Sequence, residues 1–200
     1  MLLSFKKGHR QDIRKSNKKD LKFDLFSNGE QEGIDRFIKV MKNRQTSKRY
    51  GGLPEQHYRN IWNSLSSSKS IYVIVGSHDG EDFGAYFVAY DKTTAYQLHG
   101  ARTKLGRQLR LAPRLSMEVM LAAKSLGLMH YDMWGVGTVK EGELIKTDPE
   151  YGLGKYKKDF GGTLVELSEQ RFVINSQLRF RAFQIYRYFN NVRLRLKRAI

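Results

Sequence analysis

The segment YGLGKYKKDFGG, residues 151–162, sets lysines between aromatic residues and flanking glycines. Glycine permits tight backbone turns, so this pattern predicts a short helical piece whose side chains point in fixed directions. Two interpretations stay open at this point. The segment is a basic turn on a solvated surface, as charged runs usually are, or it is a site where a lysine meets a negative or polar group.

The composition indicates a folded and strongly basic protein. The chain has 200 residues, of which 40% are hydrophobic and 12% aromatic, so a domain with a substantial core is expected. The formal net charge is +16 and the isoelectric point is near 10.0. Such a field attracts polyanions, namely RNA, DNA, nucleotide phosphates or an anionic membrane surface.

The sequence gives no support to metal or thiol chemistry. The chain has no cysteine, which excludes disulfides and thiolate metal sites. Its histidines form no ligand cluster, so we expect neither a metal nor a cofactor.

The sequence also shows no recognisable membrane span or signal peptide. No apolar run approaches the roughly 20 residues needed to span a bilayer. The start, MLLSFKKGHR, has too short an apolar stretch for a signal peptide. We therefore expect a cytoplasmic protein, located at the inner face of the membrane if it contacts lipid.

Hydrophobic periodicity predicts a mixed sheet flanked by helices. A basic N-terminal arm, at about residues 1–20, leads into a strand at LKFDLF, and two helices follow, the second opened by Pro54. The period then changes to that of sheet. Successive strands are predicted at SIYVIVGS, FGAYFVAYD and TTAYQLHGA.

The second half continues the alternation of helix and strand. An arginine-rich loop leads into the helix LSMEVMLAAKSLG, which Gly127 ends. The strand LMHYDMWG, a polar loop, the segment 151–162, the strand TLVELSEQ and a basic helix at about residues 176–200 follow. This order resembles the acyl-CoA N-acyltransferase (GNAT-like) fold, an α/β (α+β) fold, and we expect one such domain over residues 1–200.

Several stretches carry a resemblance to a known family. They are HRQDIRKSNKKDLK, TSKRYGG followed by HYRNIW, HYDMWGV and above all GLGKYKKDFGG. In this order, and over about residues 4–175, the chain resembles the Fem-type aminoacyltransferases (the FemA/FemB/FemX family). These enzymes use aminoacyl-tRNA to add amino acids to the stem peptide of a peptidoglycan precursor. Family members resemble two acyltransferase-like domains in tandem, and this sequence resembles the second only. Either it is a fragment or a split version, for which a partner chain would supply the first domain, or it is a shortened relative with an altered substrate.

The resemblance implies a role for an aromatic–lysine pair. The pair falls on Tyr156 and Lys157, with Tyr where Phe is usual. In the family it contacts the aminoacyl-tRNA end and stabilises the reacting centre. A lysine suits this role because aminoacyl transfer passes through a tetrahedral oxyanion, whose charge a fixed ammonium offsets in a dry site. The acceptor amine attacks directly once neutral, so no enzyme nucleophile is needed, and Lys158 is interpreted as solvent-facing.

The resemblance also points to residues that bind substrate. Arg49 matches an arginine that faces the precursor in the family, and Tyr58 lies on the helix that follows. An arginine fork suits phosphates or a peptide carboxylate. The alternative interpretation is that Arg49 is an ordinary surface arginine with no role in binding.

Two more candidates fall at the end of the strand LMHYDMWG, where acyltransferase-like folds open their cleft. Asp132 is a candidate to accept the proton from the attacking amine or to orient that amine, and equally a candidate to cap a neighbouring loop. Trp134 is a candidate to bind substrate. His99 and His130, lone histidines on predicted strands, are interpreted as core or edge residues.

The basic arm and the terminal helix are either solvated faces or a surface for tRNA. A surplus of +16 exceeds what solubility needs, and a tRNA donor accounts for it. Aromatic residues near these runs would stack on the unpaired acceptor end. The candidate tRNA-binding residues are Lys15, Lys18, Lys19, Arg193 and Lys197.

Three functions compete at this stage. The first is a Fem-like aminoacyltransferase of cell-wall synthesis, with aminoacyl-tRNA as donor and a lipid-linked or UDP-linked muropeptide as acceptor. The second is an acyl-CoA-dependent N-acetyltransferase. That fold normally grips pyrophosphate with a glycine-rich turn, and the corresponding stretch ARTKLGRQLRLAP offers only Gly106. The third is a non-catalytic module that binds tRNA or a membrane surface.

Overall fold

The structure is a computed structural model of the chain. It describes residues 1–27, 29–44, 53–166 and 173–199, with side chains up to residue 189. The chain forms two compact units, Met1–Val165 and Glu166–Ile200. The sheet and its helices lie in the first unit and the C-terminal helix in the second. A single domain over residues 1–200 stays a prediction.

A five-stranded sheet forms the centre of the first unit. Its strands, in spatial order, are β1 (Leu21–Ser27), β2 (Ile71–His78), β3 (Glu81–Tyr90), β4 (Thr94–Arg102) and β5 (His130–Asp132). Strands β1 to β4 run antiparallel to their neighbours, and β5 runs parallel to β4. The mixed sheet and the meander predicted from the sequence are therefore confirmed.

Helices lie before, between and after these strands. They are α1 (Lys7–Ser16), α2 (Gln31–Asn43), α3 (Glu55–Ser66), α4 (Lys104–Gln108), α5 (Ala112–Ser125), α6 (Tyr151–Lys158) and α7 (Gln177–Ala199). Each helix predicted from the sequence is confirmed. Gly127 follows the end of α5 with a φ of 78°, as a helix-terminating glycine should.

Three local predictions differ from the structure. The arginine-rich loop contains α4. The polar loop before residue 149 contains a hairpin of β6 (Val139–Lys140) and β7 (Glu143–Leu144). Residues 163–166, predicted to begin a strand, have no regular structure, and the rest of TLVELSEQ lies outside the described residues. Val165 is 70% exposed, so the apolar alternation there buries no face and gains no neighbouring strand.

The core lies on both faces of the sheet. Strand β2 is buried along almost its whole length, so it needs an apolar residue at nearly every position. Val73 and Val75 pack in a cluster with residues of α2 and α3, whereas Tyr72 and Ile74 pack in a second cluster with α5. Successive side chains of a strand point to opposite faces, which explains the division.

The N-terminal arm is a packed part of the first unit. Phe5 and Ile13 are each 2% exposed and pack in one cluster with Phe160 and α5. The backbone N–H of Lys6 donates to the carbonyl oxygen of Asp159 at 2.8 Å. Few apolar residues are therefore enough to anchor the arm beside the end of α6.

Helix α7 dominates the second unit. Its sequence contains no acidic residue, and the side chains of Leu178, Ile185 and Phe189 are exposed. Within the described residues, none of the helices combines the length and the apolar character needed to cross a membrane.

Candidate active site

A cleft opens where β4 and β5 part. Strand β5 pairs only with Thr94, Ala95 and Tyr96, so within the described chain the rest of β4 has no strand beside it on that side. The hydroxyl of Tyr131 donates to Oε1 of Gln97 at 2.8 Å and ties the strands together where they separate. The cleft has a volume of about 680 Å³. A free strand edge presents backbone polar groups that suit an extended ligand.

Strand β4 carries an irregularity at the cleft. Its register against β3 shifts at Leu98, which has no residue paired opposite it. A bulge of this kind re-aims neighbouring side chains and is common beside active sites. Gln97, Leu98 and His99 all line the cleft.

Helix α6 forms another wall, and two glycines set its position. A Cβ on Gly154 would lie 2.2 Å from the carbonyl oxygen of Val136. Gly161 has a φ of 83°, and a Cβ there would lie 2.4 Å from the carbonyl oxygen of Ser4. Other residues would therefore displace backbone at both places. At the start of α6 the Asp148 carboxylate accepts the backbone N–H of Glu150 at 2.6 Å.

Lys157 lies in this cleft with its ammonium held by backbone carbonyls. The residue is 9% exposed and lines the cleft. Its Nζ donates to the carbonyl oxygens of Met133 and Gly135, the latter at 2.7 Å. Burial lowers the pKa of Lys157, and the carboxylates of Glu150 and Asp132 act in the opposite direction. Among the described residues no acceptor meets its third N–H, so one cationic donor is available to a ligand.

Tyr156 belongs to a row of hydrogen-bonded hydroxyls beside Lys157. Its hydroxyl lies 2.9 Å from Oγ of Ser116, which lies 3.0 Å from the hydroxyl of Tyr86. The guanidinium of Arg102 stands 5.8 Å from the centre of the Tyr156 ring. Burial raises the pKa of Tyr156 well above its ordinary value, so the hydroxyl stays protonated. This side of the cleft is therefore neutral apart from Lys157 and Arg102.

Lys158 points away from the cleft. Its Nζ donates to Oε2 of Glu143 on β7 at 2.8 Å. The neighbouring lysines of the segment 151–162 thus have different environments, one enclosed by carbonyl oxygens and one paired at the surface.

Asp132 lies beside the cleft, and its carboxylate caps the loop that follows β5, one of the two roles expected from the sequence. Its Oδ1 accepts the backbone N–H of Trp134 at 2.7 Å. Trp134 has a φ of 64°, a left-handed conformation that is rare for a bulky residue and costs about 1–3 kcal/mol. The carboxylate stabilises that turn, and Trp134 itself lines the cleft. A direct catalytic role of Asp132 stays a prediction, since its side chain is not in the cleft wall.

Tyr58 forms the wall contributed by α3. It is 3% exposed, and its ring packs 5.4 Å from the ring of Phe37 and 5.1 Å from that of His99. Burial raises the pKa of Tyr58, against a backbone hydrogen bond from Leu53 that lowers it. The predicted substrate-binding residues Tyr58 and Trp134 thus share one cleft with Lys157. Arg49 lies outside the described residues.

Some cleft residues were not predicted from the sequence. They are Tyr86, Gln97, His99, Arg102 and Glu150. Arg102 belongs to the arginine-rich stretch, which was the available signal. Tyr86, Gln97, His99 and Glu150 lie in ordinary strand or loop patterns, which carry no signal of a site. Gln97 and His99 flank the Leu98 bulge at the place where β4 parts from β5.

A second, smaller cavity gathers positive charge. Lys15, Lys18 and Lys19 at the end of α1 meet Arg110 from the α4–α5 turn around a volume of about 360 Å³. We call these four residues the basic cavity. Asp12 contributes a carboxylate to the same lining. The structure therefore brings together the predicted tRNA-binding lysines of the arm; Arg193 and Lys197 lie on α7, where their side chains are outside the described part.

The stretch that would carry a CoA pyrophosphate turn forms α4 and the turn after it. The backbone N–H groups of Arg107, Leu109 and Leu111 donate to carbonyl oxygens of the same stretch, at 3.3, 3.0 and 3.0 Å. These three donors are used within the stretch. Gly106 serves packing, because a Cβ there would lie 2.2 Å from the carbonyl oxygen of Phe83.

The described residues contain no cluster of potential metal ligands. No three histidine, aspartate or glutamate side chains converge there as metal ligands would. The chemistry available to the cleft is that of Lys157, the hydroxyls, the imidazole of His99, the carboxylate of Glu150 and the guanidinium groups of Arg44 and Arg102.

Comparison with known proteins agrees with this architecture. Residues 4–157 match the acetyltransferase (GNAT) domain family. The structure of FemX is similar, with a TM-score of 0.68 and 16% identity over 80% of this chain and 55% of FemX. An aminoglycoside acetyltransferase from an uncultured soil metagenomic sample, in complex with sisomicin, has a TM-score of 0.50 and 14% identity over 78% of this chain and 97% of its own. No curated protein sequence matches the chain. At these identities the two structures show a shared fold, and this chain spans little more than half of FemX.

Proposed function

Because this chain belongs to the acetyltransferase (GNAT) domain family and has its acyltransferase fold, we propose that it transfers an aminoacyl group from aminoacyl-tRNA to an amine of the stem peptide of a peptidoglycan precursor. One observation carries this proposal. Lys157, in the aromatic–lysine segment that resembles the Fem-type family, has its ammonium fixed in the cleft by backbone carbonyls.

The reaction needs a positive donor where negative charge develops. The acceptor amine attacks the ester carbonyl of the aminoacyl group, and the carbonyl oxygen becomes an oxyanion in the tetrahedral intermediate. In the proposal the third N–H of Lys157 donates to that oxygen. Its ammonium is already oriented by Gly135 and Met133, so little reorganisation is required when the charge appears. The intermediate then collapses to an amide and releases the terminal hydroxyl of the tRNA.

The charge distribution supports a polynucleotide donor over CoA. The basic cavity offers side-chain cations, which bind phosphates at several spacings. The stretch that would hold a CoA pyrophosphate offers only Gly106 where a glycine-rich turn is usual. In this proposal Lys15, Lys18 and Lys19 hold the tRNA phosphates, together with Arg193 and Lys197 of α7.

The aromatic side of the cleft suits a peptide acceptor. Tyr58 and Trp134 line it, and Arg44 lies at the end of α2 in the same wall. In the proposal these aromatic rings contact the stem peptide, and Arg49 binds a phosphate or a carboxylate of the precursor. A lipid-linked or UDP-linked muropeptide would place the reaction in the cytoplasm, at the inner face of the membrane. A partner chain that resembles the first domain of Fem-type proteins would complete the acceptor site.

A mass measurement tests this function. The purified chain is incubated with charged tRNA and a muropeptide precursor, and we expect the precursor to gain the mass of one amino acid. Uncharged tRNA is the matched control. If the precursor gains no mass with any charged tRNA, alone or with a partner that supplies a first domain, the proposal is wrong.

An acyl-CoA-dependent N-acetyltransferase is the second candidate, favoured by the family to which the chain belongs. A ligand that binds the folded state raises the melting temperature. We expect acetyl-CoA to leave Tm unchanged because the stretch that would hold its pyrophosphate contains a single glycine, Gly106. A clear rise in Tm with acetyl-CoA, and not with tRNA, would favour the acetyltransferase. Binding of tRNA without transfer from either donor would identify a non-catalytic module.

A further inference from the structure

Acyl transfer to an amine poses a problem that Lys157 does not solve. A stem-peptide amine is protonated near neutral pH, and an ammonium has no lone pair with which to attack. Some group in the cleft must accept a proton from it. Asp132, the candidate suggested by the sequence, accepts the backbone N–H of Trp134 and is not in the cleft wall, whereas the carboxylate of Glu150 and the imidazole of His99 are. Transfer to an amine needs such a base whether the donor is aminoacyl-tRNA or acyl-CoA. The inference below therefore rests on the proposed function.

His99 has the position that this role requires. It follows the Leu98 bulge on β4 and lines the cleft that also contains Lys157 and Tyr58. Its ring is held by the rings of Tyr58 at 5.1 Å, His57 at 5.8 Å and Phe87 at 6.1 Å. Neither ring nitrogen has a hydrogen-bond partner among the residues that the structure describes. The imidazole is therefore positioned by packing, with its nitrogens available.

The surroundings keep this imidazole neutral. Burial lowers the pKa of His99 below its ordinary value of 6.5, and His57 on α3 and Arg44 after α2 act in the same direction. Tyr58 is the other titratable group packed against the ring, and burial keeps it protonated. From β3 the ring meets only Phe87, which carries no charge. At neutral pH His99 is a base with a free lone pair rather than a second cation in the cleft.

We propose that His99 is the proton acceptor for the attacking amine. A ring nitrogen of His99 takes one proton from the acceptor ammonium. The freed lone pair forms the C–N bond, and the carbonyl electron pair moves to the oxygen facing Lys157. When the intermediate collapses, the C–O bond to the tRNA breaks, and the leaving oxygen takes the second proton of the nitrogen. The imidazolium then releases its proton to solvent, which balances the reaction.

An acceptor that needs no base provides the sharpest test. A synthetic stem peptide with a free lysine ε-amine is compared with hydroxylamine, which is already neutral at pH 7, using aminoacyl-tRNA and acyl-CoA as alternative donors. We expect His99→Asn to lower transfer to the peptide by about 10²–10⁴, the range of general-base catalysis. Transfer to hydroxylamine, corrected for the reaction without enzyme, should stay at the wild-type rate. His130→Asn, an exposed histidine on β5, is the matched control and should change neither rate.

The pH profile provides a second readout. Wild-type transfer to the peptide should fall on the acid side as His99 becomes protonated, at a pH below 6.5 because its pKa is lowered. His99→Asn should lack this acid limb, and added imidazole should restore part of the rate to His99→Ala. If His99→Asn slows both acceptors equally, His99 has a structural role and the inference is wrong. If the wild type transfers to neither acceptor from either donor, the proposed function itself fails.

Discussion

Lys157 and the basic cavity are both positively charged, but the protein holds their charge in different ways. Lys157 is almost fully enclosed, and its ammonium is bound by fixed carbonyl oxygens. The cations of the basic cavity sit on a helix end and a turn, and Asp12 is the carboxylate in their lining. An enclosed charge acts strongly at one point, because solvent and salt screen it little. Exposed charges act over a longer range and are screened by salt within about 10 Å.

The contrast separates chemistry from binding. A single enclosed cation suits a transition state, whose charge appears at one atom. A group of exposed cations suits a polyanion, whose phosphates are spread along a chain. Substitutions in the two regions should therefore change different measurable quantities.

Removing the charge of Lys157 should have the largest effect. Lys157→Met keeps the length of the side chain and removes the ammonium. Transfer should fall by about 10²–10³, the cost of losing one preorganised oxyanion donor. Affinity for tRNA should stay the same, since the exposed cations remain. Steady-state transfer assays and tRNA titrations of the folded variant measure both. Equal loss in both assays would erase the distinction between the regions.

The pH dependence of transfer sharpens the same point. Burial lowers the pKa of Lys157 below 10.5, so the folded protein loses this proton at a lower pH than the unfolded chain. Transfer should decline as pH rises through that lowered value, by about tenfold for each further pH unit. The free energy of unfolding should move the other way over this window and rise with pH, because the unfolded state binds more protons. A profile for Lys157→Met that keeps the alkaline limb would assign the limb to another group.

Neutralising the basic cavity should have a moderate and salt-dependent effect. In the variant with Lys15, Lys18 and Lys19 changed to Gln, the slope of log affinity for tRNA against log salt should become shallower by about one for each lost phosphate contact. The transfer rate at saturating tRNA should be close to that of the wild type. A salt series of binding measurements checks this, and an unchanged slope would remove these lysines from the donor site.

Lys158→Met should have the smallest effect. Its ammonium pairs with Glu143 at the surface, where solvent and salt screen the attraction, so this pair contributes little. The transfer rate should stay within about twofold of the wild-type rate, in contrast to the large loss expected for Lys157→Met. Should the two folded variants transfer equally well, the segment 151–162 is a basic turn and carries no chemistry.

The sequence predicts the elements of this fold well because their patterns are local. The buried β2 and the amphipathic α2 and α5 follow from hydrophobic period alone. The segment 151–162 also stands out locally, since glycines flank its lysines. Residues 163–166 show the limit of this approach, because apolar alternation predicts a strand whether or not a partner strand exists.

The wall opposite Lys157 could not be predicted in the same way. His99 looks like any histidine on a half-buried strand, and its access to the cleft depends on one extra residue at Leu98. The cleft itself exists because β5 covers only a third of β4. For Asp132 the sequence left two roles open, and the structure shows its contact with Trp134 while its catalytic role stays a prediction. These relations depend on contacts between distant parts of the chain.

The contact between the two ends of the first unit also determines when the site can form during synthesis. Ser4 and Lys6 meet Gly161 and Asp159, and His9 lies 3.0 Å from the carbonyl oxygen of Tyr156. During translation, residues 4–9 must therefore wait for residues 156–161 before these contacts can form. Translation adds about 5–20 residues per second, so that wait lasts on the order of ten seconds. A nascent chain of this protein cannot hold the end of α6, and with it Lys157, in place until nearly all of the first unit has left the ribosome.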